Sequence, residues 1–391
     1  FAPSLKADMV TGNVQQRKEV LDRWKEVDVL ITSYDLLRRD ITDYQELHFF
    51  CEVIDEAQYI KNHGTQAARA VKQVQTGFRL ALTGTPIENR LSELWSIFDY
   101  LMPGYLYSYQ RFRTELEQPI VQHKDEDAAK RLQRLIRPFV LRRLKKEVLQ
   151  DLPDKLEENL YADMDGEQQE LYDAHVRRMK LMLEEKSDEE IRTDKIEILA
   201  ELTRLRQLCC DPALLYDNYK GGSAKTELVR GLIRNAVENG HKVLLFSQFT
   251  TMLERLYRIL EEEKIASHML TGATPKEKRI EMVESFAHDE VPVFCISLKA
   301  GGTGLNLTAA DVVIHFDPWW NSAVQNQATD RAHRIGQKNV VNVYRILAKG
   351  TIEEKIVELQ ERKLQLSDRI LGGESLQAQG LTREELLELL R

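Results

Sequence analysis

The sequence predicts an α/β fold built on parallel sheets, because two stretches of the chain alternate short apolar strands with helical segments. The first stretch, residues 1–102, has predicted strands at Val27–Thr32, Phe49–Ile54 and Arg79–Leu82 and a predicted helix at Thr65–Val74. The second starts at residue 223, with predicted strands at Val243–Phe246, Val293–Ile296, Val312–Phe316 and Val341–Ile346. Between them the strand signal disappears, and the apolar residues recur at helical spacing, as at Ile196, Leu199, Leu202 and Leu205.

These patterns divide the chain into four parts. Residues 1–102 form the first α/β region, residues 103–222 a helical insertion and linker, and residues 223–371 the second α/β region. The second region is predicted to close with a helix over Thr351–Leu371, which Gly372 and Gly373 stop. Residues 372–391 are predicted to end in a short helix, because Thr382–Glu385 reads as a capping box.

Composition indicates an intracellular globular protein. Of the 391 residues, 42% are hydrophobic and 30% are charged, and no apolar run approaches the ~18 residues of a membrane span. Cysteines 51, 209, 210 and 295 lack zinc-ligand spacing, so we expect reduced core residues in the cytoplasm or nucleoid of a prokaryote, or in a eukaryotic nucleus. The expected partners therefore do not include a membrane.

Charge is unevenly distributed. The net charge of −8, taken as a whole, argues against nonspecific binding of nucleic acid, yet the segment Ala129–Lys146 carries eight basic residues and no acidic one. Apolar residues at Leu132, Leu135, Ile136 and Phe139 have helical spacing, so the segment is either an amphipathic helix with a solvated face or a nucleic-acid contact.

A pair of carboxylates follows one predicted strand. Asp55 and Glu56 come directly after Val53 and Ile54, and ligands bind at the carboxyl ends of strands in open α/β sheets. Asp55 is a candidate ligand of Mg²⁺ and Glu56 a candidate for polarising an attacking water. The alternative is that Asp55 caps a helix.

Two further strands end in turn-forming segments. Leu80–Asn89 passes from an apolar strand into Thr83, Gly84, Thr85 and Pro86; its hydroxyls suit a relay between ligand sites, or the segment is an ordinary turn. Ser297–Leu307 contains Gly301, Gly302 and Gly304, which let the backbone approach a phosphate closely.

The run Gln327–Gln337 contains two arginines, Arg331 and Arg334, on what is predicted to be one helix. A spacing of three residues puts both guanidinium groups on the same helix face, where they reach a single polyanion such as nucleotide phosphates. A solvated helix with a few charges is the alternative for this run taken alone.

In combination, these segments resemble superfamily-two helicase-like ATPases, and specifically the Swi/Snf-type DNA translocases. The segments closest to that branch are Leu82–Asn89, Phe246–Phe249, Phe316–Asn321 and Asp330–Gln337. The resemblance covers nearly the whole chain and implies two RecA-like parallel-sheet lobes, the first truncated, with an inserted helical region. Gln58 stands where many relatives have His, a variation that favours a prokaryotic member.

The resemblance implies ATP and Mg²⁺ as cofactors and double-stranded DNA, with proteins bound to it, as partners. It assigns catalysis to Asp55 (also the metal ligand), Glu56, Gln58, Arg331 and Arg334. It assigns nucleotide contacts to Gly301, Gly304, Gln327, Thr83 and Thr85. It assigns DNA contacts to Trp320, Lys299, Thr303, Asn306, Lys61, Asn62, Asn89 and Arg90, and leaves Trp319 equally open to a core role.

The family's phosphate-binding loop, glycines followed by Lys and Ser or Thr, does not occur in these 391 residues. The nearest segment, Gly221–Thr226, is predicted to be a linker followed by a helix cap. We therefore expect a carboxyl-terminal portion of a longer protein that does not hydrolyse ATP alone. Three functions remain open: a DNA translocase, an RNA-directed helicase of the same superfamily, and a catalytically dead scaffold that binds DNA or protein.

Overall fold

The computed structural model describes residues 2–84, 91–123, 125–143, 145–149, 151–187, 190, 194–301, 304–360, 387 and 390. The chain divides into two compact units, with a boundary in the sequence between Leu141 and Arg142. The predicted helical region is thus shared between the two units. No helix of the described residues is long and apolar enough to cross a membrane.

The first unit contains four short strands in two parallel pairs. The strands are β1 (Ala7–Met9), β2 (Val29–Ile31), β3 (His48–Ile54) and β4 (Gln75–Ala81). β1 pairs with β2, and β3 pairs with β4, with Val53 opposite Leu80. The helices are α1 (Val14–Asp22), α2 (Tyr34–Arg39), α3 (Ile41–Tyr44), α4 (Gln66–Gln73), α5 (Leu91–Leu101), α6 (Tyr109–Phe112), α7 (Gln118–His123) and α8 (Glu126–Ile136).

Helix α4 joins β3 to β4 and makes their parallel pairing possible, as the apolar alternation predicted. The Thr65 hydroxyl accepts the backbone N–H of Ala68 (3.2 Å) and so caps α4 at its start. Ala68 and Val71 of α4 and Ile97 of α5 are buried in one core cluster. A second cluster unites α5 with α8, so the start of the basic segment is an amphipathic helix, as its apolar spacing allowed.

The second unit contains a six-stranded, fully parallel sheet of order β5-β10-β9-β6-β8-β7. Its strands are β5 (Lys155–Ala162), β6 (Val243–Ser247), β7 (Ser267–Leu270), β8 (Val293–Ser297), β9 (Val312–His315) and β10 (Val341–Ala348). The helices are α9 (Lys145–Val148), α10 (Gly166–Glu185), α11 (Lys195–Cys210), α12 (Ala224–Glu238), α13 (Thr250–Glu262), α14 (Lys276–His288), α15 (Leu298–Gly301), α16 (Ser322–Thr329) and α17 (residues 352–360).

Every residue of β6, β8 and β9 is buried, which is why these strands read as continuous apolar runs in the sequence. Alternate side chains enter opposite layers. Leu244 and Phe246 pack in one core cluster, whereas Val243 and Leu245 pack in another on the other face of the sheet. This double covering by helices confirms the predicted α/β class.

The strand β5 corrects the expectation that residues 103–222 are helical. Its central residues Glu157 and Glu158 hide the strand signal, because carboxylates disfavour strands. The strand forms because it lies at the sheet edge, paired residue for residue with β10 from Val341↔Lys155 to Ala348↔Ala162. Its exposed side chains are tolerated there.

The linker prediction is confirmed, whereas the predictions at the chain end are described only in part. The Ser223 hydroxyl accepts the backbone N–H of Thr226 (3.3 Å), so Gly221–Thr226 is a linker followed by a helix cap. The helix predicted over Thr351–Leu371 is observed as α17 up to residue 360, and its remainder lies outside the described residues. The capping box at Thr382–Glu385 also lies outside them.

Candidate functional site

The carboxylate pair lies in a tight turn at the carboxyl end of β3. Asp55 is exposed, and its Oδ1 accepts the backbone N–H of Glu56 (2.8 Å). Glu56 itself has left-handed backbone angles, φ 50° and ψ 52°, at the start of the 3₁₀ turn Ala57–Ile60. Asp55 caps no helix, so the structural alternative for this residue does not apply. Left-handed backbone is strained at a residue with a side chain, so the surrounding contacts must hold it in place.

A chain of side-chain hydrogen bonds joins this turn to the end of β4. Gln58 Nε2 donates to Glu56 Oε2 (2.7 Å), and Thr83 Oγ1 donates to Gln58 Oε1 (2.9 Å). The backbone is tied at the same place, because Ala57 N–H donates to the Leu82 carbonyl (2.9 Å). The two predicted segments therefore form one connected structure, in which Gln58 joins Thr83 to the Glu56 carboxylate.

Tyr34 supports this turn from α2 and was not recognised in the sequence. Its hydroxyl donates to the Asp55 carbonyl (2.7 Å), and its ring stacks on Tyr59 at 5.4 Å. Burial, reinforced by the nearby Asp55 carboxylate, raises the pKa of Tyr34 well above its ordinary value, so the hydroxyl stays protonated and keeps donating. A lone tyrosine after a strand gives no sequence signal for such a role.

The other predicted contact residues of the first unit either contact neighbouring residues of that unit or lie outside the described residues. Lys61 lies 3.8 Å from Glu93 of α5, and Asn62 Oδ1 accepts the Gly64 backbone N–H (3.0 Å), so both also have structural roles. Asn62 is nevertheless exposed. Thr85, Asn89 and Arg90 lie outside the described residues.

The two arginines lie in a turn, and the prediction that they share a helix was wrong. Helix α16 ends at Thr329, and the N–H groups of Arg331 and Ala332 donate to carbonyls three residues back. The Arg331 carbonyl accepts the Leu307 N–H (3.0 Å) from a loop that is distant in sequence. The Arg331 side chain is buried, whereas Arg334 is half-buried.

Gln337 fixes the far end of this arginine turn, residues 330–337. Its side-chain amide donates to the carbonyls of Thr308 (3.2 Å), Ala310 (2.8 Å) and Ala332 (3.2 Å). Gly336 precedes it with φ +106°, a conformation that favours glycine. The pairing of Gly and Gln in the motif thus has a structural reason that the sequence did not indicate.

The segment that opens the second unit contacts the near end of the arginine turn. Lys145 Nζ lies 2.6 Å from Asp330 Oδ1 and donates to the His333 carbonyl (3.2 Å). The His333 ring nitrogen Nε2 lies 2.7 Å from the Pro153 carbonyl and must carry the proton of that hydrogen bond. The later part of the basic segment therefore braces the arginine turn.

The glycine-rich segment begins with a helical turn where a loop was expected. Residues Leu298–Gly301 form α15, which packs against β8 and α16. Gly304 has φ +26°, and Asn306 beyond it is exposed. Gly302 and Thr303 lie outside the described residues, as does the side chain of Lys299. Gln327 is half-buried on α16, beside the arginine turn.

The paired tryptophans face different layers. Trp319 packs against the core cluster that holds Phe246, and half-buried Trp320 packs against the cluster of α10 and α11. The guanidinium of Arg206, on α11, lies 5.6 Å from the Trp320 ring centre. Arg206 also donates to the Pro318 carbonyl and lies 3.7 Å from buried Asp317.

Arg206 was missed in the sequence, although a cation among Leu202, Leu205 and Leu208 at helical spacing is a usable signal. Its side chain is 3% exposed, so its charge must be compensated inside the protein. The compensation comes from Asp317 and the Pro318 carbonyl, and these contacts connect α11 to the strand end that precedes Trp320. Arg206 therefore lies beside the Trp320 ring and is hydrogen-bonded to the backbone two residues before it.

Comparison with known families matches residues 1–214 to the SNF2-related domain and residues 224–336 to the helicase conserved C-terminal domain. An uncharacterized ATP-dependent helicase of Mycoplasma genitalium is 39% identical over 393 residues, covering 100% of this chain and 37% of the relative. YwqA of Bacillus subtilis, named as a candidate ATP-dependent helicase/translocase, is 40% identical over 400 residues, covering 100% of this chain and 43% of the relative.

A solved structure, the SWI2/SNF2 ATPase core domain of Sulfolobus solfataricus, is similar over 100% of this chain and 79% of that chain, with 36% identity and a TM-score of 0.50. Fold and motifs thus define a protein of the helicase-like class with RecA-like lobes. The chain belongs to the SNF2-related family. It spans less than half the length of the curated relatives it matches.

Proposed function

We propose that this chain is part of an ATP-driven double-stranded DNA translocase of the Swi/Snf type, which hydrolyses ATP between two lobes. The observation that carries the proposal is the hydrogen-bonded chain from Glu56 through Gln58 to Thr83. It connects a general-base candidate on one strand end with a hydroxyl on the next. A motor needs such a link to make hydrolysis depend on its track.

On the first unit, Glu56 would accept a hydrogen bond from the attacking water and polarise it. Its carboxylate is aimed by Gln58 and by the left-handed backbone. The exposed Asp55 carboxylate is an oxygen ligand of the type that Mg²⁺ prefers, and the ion, when bound, supplies charge neutralisation on phosphate oxygens. Thr83 and Thr85 would carry the state of this pocket to the DNA-binding face.

On the second unit, Arg331 and Arg334 would neutralise the charge that develops on the transferred phosphoryl group. The arginine turn is fixed by Gln337 at one end and by Lys145 at the other, so the guanidinium groups start from a defined backbone position. Gly301, Gly304 and Gln327 lie in the segments next to this turn and would complete the nucleotide contacts.

We further propose contacts with DNA from residues of both units. Trp320 would lie against the sugar-phosphate backbone, and Asn306, Lys299 and Thr303 would contact phosphates from the glycine-rich segment. Asn62, Asn89 and Arg90 would do the same from the first unit, with Lys61 contributing only if it leaves Glu93. Proteins bound to the DNA are proposed as further partners, in the cytoplasm or nucleoid of a prokaryote or in a eukaryotic nucleus.

The decisive experiment measures ATP hydrolysis by the full-length protein without nucleic acid, with duplex DNA and with RNA. We expect stimulation by duplex DNA, loss of turnover in Glu56→Gln, and unchanged turnover in the control Glu46→Gln, which alters an exposed carboxylate of the same unit. Arg334→Ala should lower turnover by roughly 10³ and leave DNA affinity nearly unchanged. This chain alone is expected not to hydrolyse ATP.

The alternatives predict different results. Stimulation by RNA and not by duplex DNA would assign the protein to RNA-directed helicases. No hydrolysis under any condition, with Glu56→Gln indistinguishable from the parent, would favour a catalytically dead scaffold. Equal loss of DNA binding and turnover in Arg334→Ala would count against the arginine-finger role.

A further inference from the structure

Two segments remote in sequence meet at the arginine turn, where Lys145 and Pro153 both contact it. Lys145 Nζ reaches both the Asp330 carboxylate (2.6 Å) and the His333 carbonyl (3.2 Å). The His333 ring nitrogen Nε2 donates to the Pro153 carbonyl at 2.7 Å. These contacts bracket Arg331 and end one residue before Arg334.

The backbone around Lys145 and Pro153 is itself anchored to the second unit. Helix α9 begins at Lys145, and the Leu149 N–H donates to its carbonyl (2.8 Å). The Asp154 carbonyl accepts the Val341 N–H (3.0 Å), and β5 follows immediately along β10. The lysine therefore acts from an anchored backbone on a turn that Leu307 and Gln337 also hold.

We propose that Lys145 is a positioning residue for the arginine pair: by holding Asp330 and the His333 carbonyl, it sets the place from which Arg334 acts. The inference rests on the proposed function. Lys145 does not touch the reacting groups, so its effect passes through the backbone of the arginine turn. Because Lys145 lies four residues after the junction between the two units, it also joins that turn to the connecting chain.

Charge and exposure favour a positional role over a contribution to stability. The side chains of Lys145 and Asp330 are 43% and 36% exposed, and ion pairs that are solvent-exposed contribute little to folding. Two contacts from one ammonium group to neighbouring points of the same turn restrict its geometry more than they stabilise it. A displacement of about 1 Å at a catalytic group costs up to about a hundredfold in rate.

The test uses the full-length protein with Lys145→Met, Asp330→Asn and the double variant. The matched control is Lys349→Met, which removes an exposed ion pair with Asp163 (61% and 74% exposed) from the same unit. Arg334→Ala is the reference for loss of the finger. Measured quantities are kcat, KM for ATP, duplex DNA affinity, and affinities for ADP and for ADP with aluminium fluoride, a transition-state analogue.

We expect Lys145→Met to lower kcat by about tenfold to a hundredfold while KM and DNA affinity change less than about twofold. Binding of the transition-state analogue should weaken while ADP binding is retained. The double variant should be no worse than the worse single variant, because both remove one interaction.

The inference is overturned if Lys145→Met behaves like Lys349→Met while Arg334→Ala loses turnover. It is also overturned if ADP and analogue binding fall equally, or if the losses of Lys145→Met and Asp330→Asn simply add. If Arg334→Ala itself retains full turnover, the proposed function fails, and that outcome is distinct from failure of the positioning role.

Discussion

Glu56 occupies left-handed backbone, where a side chain costs about 1–3 kcal/mol. The surrounding contacts impose this conformation: Ala57 bonds to Leu82, and Tyr34 holds the Asp55 carbonyl. The same contacts aim the Glu56 carboxylate at Gln58. The left-handed conformation of Glu56 is therefore held in place by the contacts of its neighbours.

His315 is a second residue whose state is set by its surroundings. It lies on β9, stacks on Phe246 at 5.4 Å and is hydrogen-bonded to Thr329 (2.8 Å). Burial, with a smaller effect from Arg345, lowers the pKa of His315 to about 3 from its ordinary 6.5. The folded protein thus keeps this ring neutral where the unfolded chain protonates it.

We expect His315 to weaken the fold in acid. Between pH 6.5 and 3 the unfolded chain binds a proton that the folded protein does not. As the pH is lowered through this range, the free energy of unfolding therefore falls by up to about 1.4 kcal/mol per pH unit. His315→Phe should flatten the dependence of denaturant stability on pH between about 6 and 4.5. The exposed control His288→Gln should leave it steep, and an unchanged slope in His315→Phe would refute the assignment.

At the scale of elements, one buried ion pair joins α12 to α17. Lys225 Nζ lies 2.9 and 2.8 Å from the two carboxylate oxygens of Glu353, and both side chains are 0% exposed. Glu353 Oε2 also accepts the Ala348 N–H (2.9 Å) at the end of β10. The carboxylate counteracts the desolvation of the lysine and raises the pKa of Lys225, which favours the charged form of the lysine.

Breaking this pair on one side should be costly. Lys225→Met leaves the Glu353 carboxylate buried without its cation, and we expect a loss of about 3–5 kcal/mol in unfolding free energy. Removing both charges in Lys225→Met with Glu353→Leu should recover most of it, since an apolar pair avoids the desolvation cost. Denaturant unfolding measures both variants, and a double variant as unstable as the single one would contradict the explanation.

At the scale of the whole molecule, the first unit presents an exposed apolar sheet face. The pairing of Cys51 with Phe78 and Val53 with Leu80 places these side chains on one face. Val53, Phe78 and Leu80 are 53%, 56% and 43% exposed. Exposed apolar strands of this kind promote association.

We expect this chain, produced on its own, to self-associate through that face. Phe78→Lys combined with Leu80→Lys should reduce light scattering of the purified chain, because two charges disfavour contact between copies. Leu199→Lys is the matched control, since Leu199 is equally exposed (56%) but lies in the second unit. Equal scattering in both variants would show that another surface is responsible.

Much of the fold was predictable because its signals are local. The strands β3, β6, β8, β9 and β10 were found within two residues at each end, since each contains a run of apolar residues, and β6, β8 and β9 are buried throughout. The strands β1, β5 and β7 were missed because they are short or carry charges, and pairing with a neighbour, which is not local, decides them.

For the site, the sequence by itself determined which residue types stand at the strand ends, and their order was enough to indicate the family. Only the tertiary structure decided that Arg331 and Arg334 leave the helix, that Gln58 bridges Glu56 and Thr83, and that Lys145 braces the arginine turn. Lys145 and His333, for example, are separated by 188 residues. Contacts of that range depend on how the sheet brings segments together, and no local pattern of side chains encodes them.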